Sequence, residues 1–154
     1  MFKVGIIGPE STGKSSLASY LATLYKGTCV HEYARTYVEQ KGTTDVTYDE
    51  LCEIARHQIE ELKNQSGEIV FFDTELIITK VWFDYAFGRV PKWLDEAIVR
   101  YPMDIYLLTY PDLPWIPDPA RSNGSDAIRL ELFERYETEI QSLGIPYFII
   151  RHEE

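Results

Sequence analysis

The 154-residue chain has little cysteine, no long apolar run and no excess of positive charge. Its two cysteines, Cys29 and Cys52, lie far apart and match no metal-binding or redox spacing, so we expect reduced thiols. No apolar run approaches the roughly 18 residues that span a bilayer. The chain also enters a predicted strand almost at once and offers no signal peptide. We therefore expect a cytoplasmic protein without membrane contact.

The charge balance argues against nucleic acid as a partner. The 25 acidic residues outnumber the 15 basic ones, and the formal net charge of −10 opposes non-specific binding to a polyanion. The chain shows no helix-turn-helix, zinc-finger or other nucleic-acid motif, no internal repeat and no interdomain linker. Its hydrophobic content of 45% is ordinary for a globular protein, and its length suits one domain covering residues 1–154.

What the chain does contain is a glycine-rich loop at residues 8–15, GPESTGKS, which fits G-x-x-x-x-G-K-[ST] without a mismatch. An apolar run precedes the loop and an amphipathic segment follows it, which is the context of a phosphate-binding loop. Its amides and the following helix N-terminus would converge on an anion. We predict a nucleoside triphosphate with Mg²⁺, contacted by Gly8, Pro9, Glu10, Ser11, Thr12, Gly13, Lys14, Ser15 and Ser16. Lys14 would reach the β- and γ-phosphates, and Ser15 would bind the metal.

Apolar runs and helical periodicity predict an α/β fold in which strands and helices alternate. The predicted strands cover residues 2–7, 28–31, 69–72, 105–109 and 147–150, and helices fill the segments between them. Thr47 and Glu50 predict a capping box at the start of one helix, and Pro91 is expected as the first residue of another. This alternation is typical of a parallel sheet between two layers of helices. Ligands in such folds bind at the carboxyl ends of the strands. The phosphate loop and the segments 32–35, 73–75 and 110–126 should therefore share one rim.

Two carboxylates at that rim are candidates for chemistry. Asp73 ends an apolar run and would hold Mg²⁺ opposite Ser15, directly or through water, although it could equally serve as the N-cap of the next helix. Glu32 ends the second predicted strand and would bind the attacking hydroxyl of an acceptor and take its proton. A capping role or a surface ion pair is the alternative for Glu32 and for Arg35, one helical turn later. Glu75 is either a supporting residue or solvated.

The segment 110–126 is rich in proline and forms a predicted loop of roughly 17 residues, a length that itself suggests function. Arg121 and Arg129 lie in or beside it and would neutralise charge on the transferred phosphoryl group from a closing lid. Solvated arginines are the alternative. Trp82, Tyr85 and Trp115 offer flat surfaces for stacking a heterocycle, with core packing as the competing role for the first two.

Taken together, these motifs resemble the ribosylnicotinamide kinase domain of the bacterial trifunctional NAD-biosynthesis and regulator proteins. The matching residues are GPESTGKS at 8–15, EYAR at 32–35, DTE at 73–75 with Thr79 and Trp82, and YPDLPW at 110–115 with Asp118 and Arg121. The resemblance runs from about residue 3 to residue 150. It implies a P-loop NTPase fold with a five-stranded parallel sheet in the order 2-3-1-4-5. It also implies an ATP-dependent kinase that phosphorylates the 5′-hydroxyl of nicotinamide riboside.

On this basis we predict catalytic roles for Lys14, Glu32, Asp73, Arg121 and Arg129. Contacts with a nucleoside-like substrate are predicted for Glu32, Tyr33, Arg35, Asp73, Trp82, Tyr85 and Trp115. The family's regulator proteins carry a DNA-binding segment and an adenylyltransferase domain ahead of the kinase, and the absence of both here implies a free-standing kinase. Phosphorylation of another nucleoside or nucleoside monophosphate is the alternative, as is a nucleotide-binding switch that hydrolyses ATP slowly. The sequence does not fix the oligomeric state.

Overall fold

The computed structural model describes residues 1–10, 12–43, 45–112 and 126–151. In these ranges five strands and six helices alternate as the sequence predicts. The strands are β1 (Phe2–Ile7), β2 (Thr28–Val30), β3 (Ile69–Asp73), β4 (Ile105–Thr109) and β5 (Tyr147–Ile150). The helices are α1 (Lys14–Leu24), α2 (Tyr33–Lys41), α3 (Tyr48–Lys63), α4 (Leu76–Phe87), α5 (Lys92–Arg100) and α6 (Asp126–Leu143).

The strands form one parallel sheet in the order β2-β3-β1-β4-β5. This confirms the predicted fold class and the predicted strand order 2-3-1-4-5. Strand β1 lies at the centre, with Ile6 paired to Asp73 of β3 and to Leu107 of β4. The phosphate loop therefore leaves the middle of the sheet, between the carboxyl ends of its two neighbouring strands.

Both faces of the central strands are buried, which explains why β3 reads as an unbroken apolar run. Val70 and Phe72 point into a large cluster that includes residues of α3, α4 and α6. Phe71 points the other way, into a smaller cluster with Ala18 and Ala22 of α1. The alternation follows from the two-residue period of a strand. The described helices include none that is both long and apolar enough to cross a membrane.

The helix ends follow local chemistry. Thr47 and Glu50 form the predicted capping box at the start of α3, since Thr47 Oγ1 accepts from the Glu50 amide at 3.1 Å and Glu50 Oε1 accepts from the Thr47 amide at 3.0 Å. Several boundaries differ by one residue from the sequence prediction; β3, for example, extends to Asp73. Pro91 is the N-cap of α5 and not its first helical residue, and β2 ends at Val30, so Glu32 becomes the N-cap of α2.

Candidate active site

The glycine-rich loop is closed on itself and attached to the end of β4. A Cβ atom on Gly8 would lie 2.0 Å from Oγ1 and 2.8 Å from the carbonyl oxygen of Thr109, so only glycine fits at this close approach. The Thr12 hydroxyl donates to the Pro9 carbonyl at 2.7 Å and lies 2.6 Å from Thr109 Oγ1. Ser11 lies outside the described residues. The loop is thus held by its own polar groups before any ligand is considered.

The start of α1 has the features of an anion site. Gly13, its N-cap, takes a left-handed conformation at φ 82°, and the first turn contains no acidic residue. The amides of a first helical turn have no partner within the helix and form its positive end. Lys14 is only 5% exposed, and its Nζ donates to the Pro9 carbonyl at 3.0 Å. A buried ammonium group therefore lies beside these amides, an arrangement that attracts phosphate.

Asp73 and Ser15 meet across the sheet as the sequence predicts. The Ser15 hydroxyl donates to Asp73 Oδ2 at 2.6 Å, and the Asp73 side chain is 2% exposed. Its other oxygen, Oδ1, is buried and has no hydrogen-bond partner among the described residues. A buried acceptor without a partner costs free energy, and hard oxygen ligands are what Mg²⁺ prefers. This pair of side chains therefore fits a magnesium ion shared with a bound phosphate.

Glu75, not Asp73, is the N-cap of α4. Its carboxylate accepts from the Ile77 amide at 2.9 Å and hydrogen bonds with the Tyr106 side chain. Burial raises the pKa of Glu75 to about 7, although those hydrogen bonds lower it. Burial and the Glu75 carboxylate in turn hold the pKa of Tyr106 well above its ordinary value. The capping alternative for Asp73 is therefore wrong, and Glu75 is a buried supporting residue.

The turn that joins β3 to α4 is strained. Thr74, between these two carboxylates, has φ 70°, a left-handed conformation that β-branched side chains rarely adopt. Strain of this kind persists only where the surrounding structure imposes it, and it is frequent at functional sites. Here the Thr74 amide donates to the Ile6 carbonyl at 2.9 Å, which ties the turn to β1. The same turn fixes the directions of Asp73 and Glu75.

Glu32 and Tyr33 lie where β2 meets α2, at the same edge of the sheet. Glu32 is buried, and although it occupies the N-cap position of α2, its side chain makes no capping hydrogen bond to that helix. Tyr33 stacks face to face on His57 of α3, with 3.5 Å between the ring centres. The half-buried Arg35 pairs with Glu39, one turn further along α2, at 3.2 Å. Glu32 is thus a buried carboxylate, and the residue that follows it belongs to a stacked aromatic pair.

Arg129 has a position that the sequence did not indicate. It is almost fully buried in the first turns of α6, where Nη1 donates to the Glu10 carbonyl and Nη2 to the Pro111 carbonyl, both at 3.4 Å. It therefore bridges the phosphate loop and the segment after β4. The other predicted arginine, Arg121, and the predicted stacking residue Trp115 lie outside the described residues.

The aromatic residues of α4 are placed less favourably for contact with a ligand than the carboxylates are. Trp82 is half-buried and packs against the large core cluster. Tyr85 is 42% exposed, and at 1.5 Å per residue it lies about 13 Å along the helix from Leu76. Since α4 begins at the rim and leads away from it, contact between Tyr85 and a ligand stays a prediction.

A buried polar pair behind the rim was missed by the sequence analysis. Thr79, in α4, donates from Oγ1 to Gln58 Oε1 in α3 at 2.6 Å. Gln58 falls on the same stripe of α3 as Leu51, Ala55 and Leu62, which are all buried. An amide at a core position of an otherwise apolar stripe is the signal that could have revealed it.

The central strand is followed by a glycine-rich loop and a buried lysine, and the Ser15 hydroxyl of α1 meets the Asp73 carboxylate at the end of the adjacent strand. These features define a P-loop protein, and its sheet order is that of the P-loop kinases. The chain belongs to the AAA_28 family, described as an AAA domain, whose model matches residues 3–154. Among the described residues no group of three or more His, Cys, Asp or Glu side chains forms a metal site of its own.

The comparisons with individual proteins confirm the resemblance seen in the sequence. The chain is 27% identical over 157 residues to the trifunctional NAD biosynthesis/regulator protein NadR of Escherichia coli (strain K12), covering 98% of this chain and 38% of that protein. Among solved structures it is similar to NadR protein in complex with NAD and AMP-PNP, with a TM-score of 0.77 at 24% identity over 99% of this chain and 45% of that chain. NadR protein in complex with NR gives a TM-score of 0.74 at 23% identity over 96% and 43%. The chain thus spans less than half the length of these relatives.

Proposed function

We propose that this protein is an ATP-dependent kinase that transfers the γ-phosphoryl group to a nucleoside, with nicotinamide riboside as the preferred acceptor. The observation that carries the proposal is the meeting of the exposed Ser15 hydroxyl with the buried Asp73 beside the buried Lys14, together with the buried Glu32 just after the neighbouring strand β2. A nucleotide-binding switch needs no second carboxylate at the acceptor side. The relatives support the choice of ligands, since NadR is a protein of NAD biosynthesis that has been crystallised with NR and with AMP-PNP.

In this proposal each residue has a distinct task. Lys14 and the α1 amides stabilise the negative charge of the β- and γ-phosphates. Ser15 and Asp73 would hold Mg²⁺, whose chemistry is to neutralise charge on the phosphate oxygens. Glu32 orients the acceptor hydroxyl and takes its proton as the new O–P bond forms, while ADP leaves. Arg129 keeps the phosphate loop in place through its contact with the Glu10 carbonyl.

The remaining properties follow from the same proposal. The partner is a small molecule and not nucleic acid, in keeping with the net charge of −10. We also propose that the protein acts in the cytoplasm, where ATP is available.

The direct test is Mg²⁺-dependent release of ADP from ATP, measured with and without nicotinamide riboside and with a panel of other nucleosides. Strong stimulation by nicotinamide riboside, with its mononucleotide as the product, is the expected result. Stimulation by a different nucleoside alone would keep the mechanism and replace the acceptor. Slow hydrolysis that no nucleoside accelerates would contradict the kinase proposal and favour the switch.

The role of Glu32 can be tested separately. Glu32→Gln should lower kcat by roughly a hundredfold or more, the usual size of a general-base contribution, and leave the Kd for ATP within about twofold of the wild type. The matched control is Glu39→Gln, the exposed carboxylate on the same helix that pairs with Arg35. Equal losses of turnover and of ATP binding in Glu32→Gln would show that Glu32 is structural.

A further inference from the structure

The polar pair between α3 and α4 has no role in the proposed phosphoryl transfer. Gln58 is 6% exposed and Thr79 is 1% exposed, so the hydrogen bond between them is made inside the protein. Ordering two polar side chains in a core costs free energy that an apolar pair would avoid, unless every polar atom is satisfied.

The hydrogen bond fixes which way the Gln58 amide faces. Thr79 donates its only hydroxyl proton to Oε1, which directs Nε2 away from α4. No group in the described ranges accepts a hydrogen bond from Nε2. Since Nε2 has no partner in those ranges and is not fully buried, it borders solvent. The structure thus holds an oriented N–H donor at the end of a buried side chain.

The position of this donor points to the acceptor side of the site. The preceding residue, His57, stacks on Tyr33, which directly follows Glu32. Thr79 lies in the first turn of α4, three residues after Leu76 and about 4.5 Å along the helix axis from it, and α4 begins next to Asp73. Gln58 therefore lies between the elements that carry the two carboxylates, one helical turn behind the rim.

We propose that Gln58 is a specificity-determining residue that donates a hydrogen bond from Nε2 to a carbonyl oxygen on the base of the acceptor nucleoside, with Thr79 as the positioning residue that orients the amide. The inference rests on the proposed kinase function and deepens it. It selects the chemical class of acceptor: nucleosides whose base carries an amide or ring carbonyl. A site built around such a donor disfavours an analogue that lacks the acceptor oxygen, because the donor then loses its partner.

The test compares two acceptors that differ only in the carboxamide group that carries this oxygen: nicotinamide riboside, and pyridine riboside, which has the same cationic ring without that group. The quantity measured is the ratio of their kcat/KM values at saturating MgATP. The wild type should favour nicotinamide riboside by roughly tenfold or more, the size of one net hydrogen bond. Gln58→Met has a similar shape and no donor, and it should bring the ratio close to one. The matched control, Gln40→Met, makes the same change at an exposed position on α2 and should keep the wild-type ratio.

A second variant covers the case in which Gln58→Met does not fold. Thr79→Val keeps the shape of the side chain and removes the proton that orients the amide, so it should raise KM for nicotinamide riboside several-fold, and Thr79→Ser should restore the wild-type value. Equal losses with both acceptors, or an unchanged ratio in Gln58→Met, would overturn the inference and leave a purely structural pair. A wild-type protein that phosphorylates nicotinamide riboside without preferring it over pyridine riboside would overturn the inference alone. A wild type that phosphorylates no nucleoside would overturn the proposed function as well.

Discussion

At the scale of single residues, the proposed function depends most directly on Lys14, whose buried ammonium group folds back onto the Pro9 carbonyl. Lys14→Ala removes that charge, and we expect phosphoryl transfer to fall by at least roughly a hundredfold, the size of losing one preorganised charge-stabilising group. The fold should persist, because the sheet and the helices do not depend on this side chain. Far-UV circular dichroism, which measures secondary structure, checks this. The control is Lys92→Ala, an exposed lysine of α5. Full activity in Lys14→Ala would rule out the phosphate-loop assignment.

Glu75 makes the stability of the folded protein depend on pH. Its pKa lies at about 7 in the folded protein against an ordinary 4.5. The folded state therefore binds the proton more tightly than the unfolded state, and this contribution to stability is complete below pH 4.5 and is lost as the pH rises through 7. The shift corresponds to up to about 3 kcal/mol. Glu75→Gln keeps one acceptor oxygen for the Ile77 amide and has no titrating proton, so it should remove this loss.

The measurement is the free energy of unfolding in urea at pH 4.5 and pH 8 for the wild type and for Glu75→Gln. The difference between the two proteins cancels groups that they share, including Glu61, whose pKa burial also raises to about 7. Glu131→Gln, an exposed change on α6, is the control. A wild-type protein that loses no more stability than Glu75→Gln between the two pH values would contradict the assignment.

The residues that the sequence could predict are those set by a contiguous motif. Ser15 and Asp73 were paired in advance, because a phosphate loop and the end of the next buried strand have a fixed relation in a parallel sheet. The Thr79–Gln58 bond and the capping role of Glu75 could not be found this way. The hydrogen bond depends on the distance between two helices. The cap depends on a left-handed turn at Thr74, and a β-branched residue does not predict such a turn.

At the scale of elements, the capping box of α3 can be tested alone. Thr47→Ala removes the acceptor for the Glu50 amide, and we expect a loss of about 1 kcal/mol in the free energy of unfolding. Activity should change little, since the box lies at the far end of α3 from Gln58. Urea denaturation measures the loss, with Thr36→Ala on the exposed face of α2 as the control. Equal stability of the two variants would show that the cap contributes nothing.

The periodicity of apolar residues was enough to predict that each strand and helix exists. The residues at which they begin and end depend on local geometry. Strands β4 and β5 have the predicted bounds because uninterrupted apolar runs mark them. Pro91 was expected as the first residue of α5, yet its ψ of 136° is extended, and the helix begins one residue later. Proline fixes φ but leaves ψ free, so the sequence alone could not decide between these two positions.

At the scale of the whole molecule, the sheet order brings Glu32, Asp73 and the phosphate loop to one edge from three adjacent strands. The sequence predicted this gathering once the order 2-3-1-4-5 was expected, since β2, β3 and β1 are neighbours in that order. The side chains around the site are therefore supported by strands that belong to one hydrogen-bonded sheet. Binding a ligand there should stabilise the entire fold and not a single loop.

This expectation gives a measurement that needs no turnover. At one hundred times its Kd, MgATP should add about 2.7 kcal/mol to the free energy of unfolding, which for a chain of this size raises Tm by roughly 5 to 10 °C. Chelating Mg²⁺ should remove part of the shift, and Asp73→Asn should make the remaining shift insensitive to Mg²⁺, because the buried carboxylate beside Ser15 is the proposed metal-binding group. Asp45→Asn, an exposed change before α3, should behave as the wild type does. An Mg²⁺-dependent shift of full size in Asp73→Asn would assign the metal to other ligands, while the absence of any shift in the wild type would contradict nucleotide binding itself.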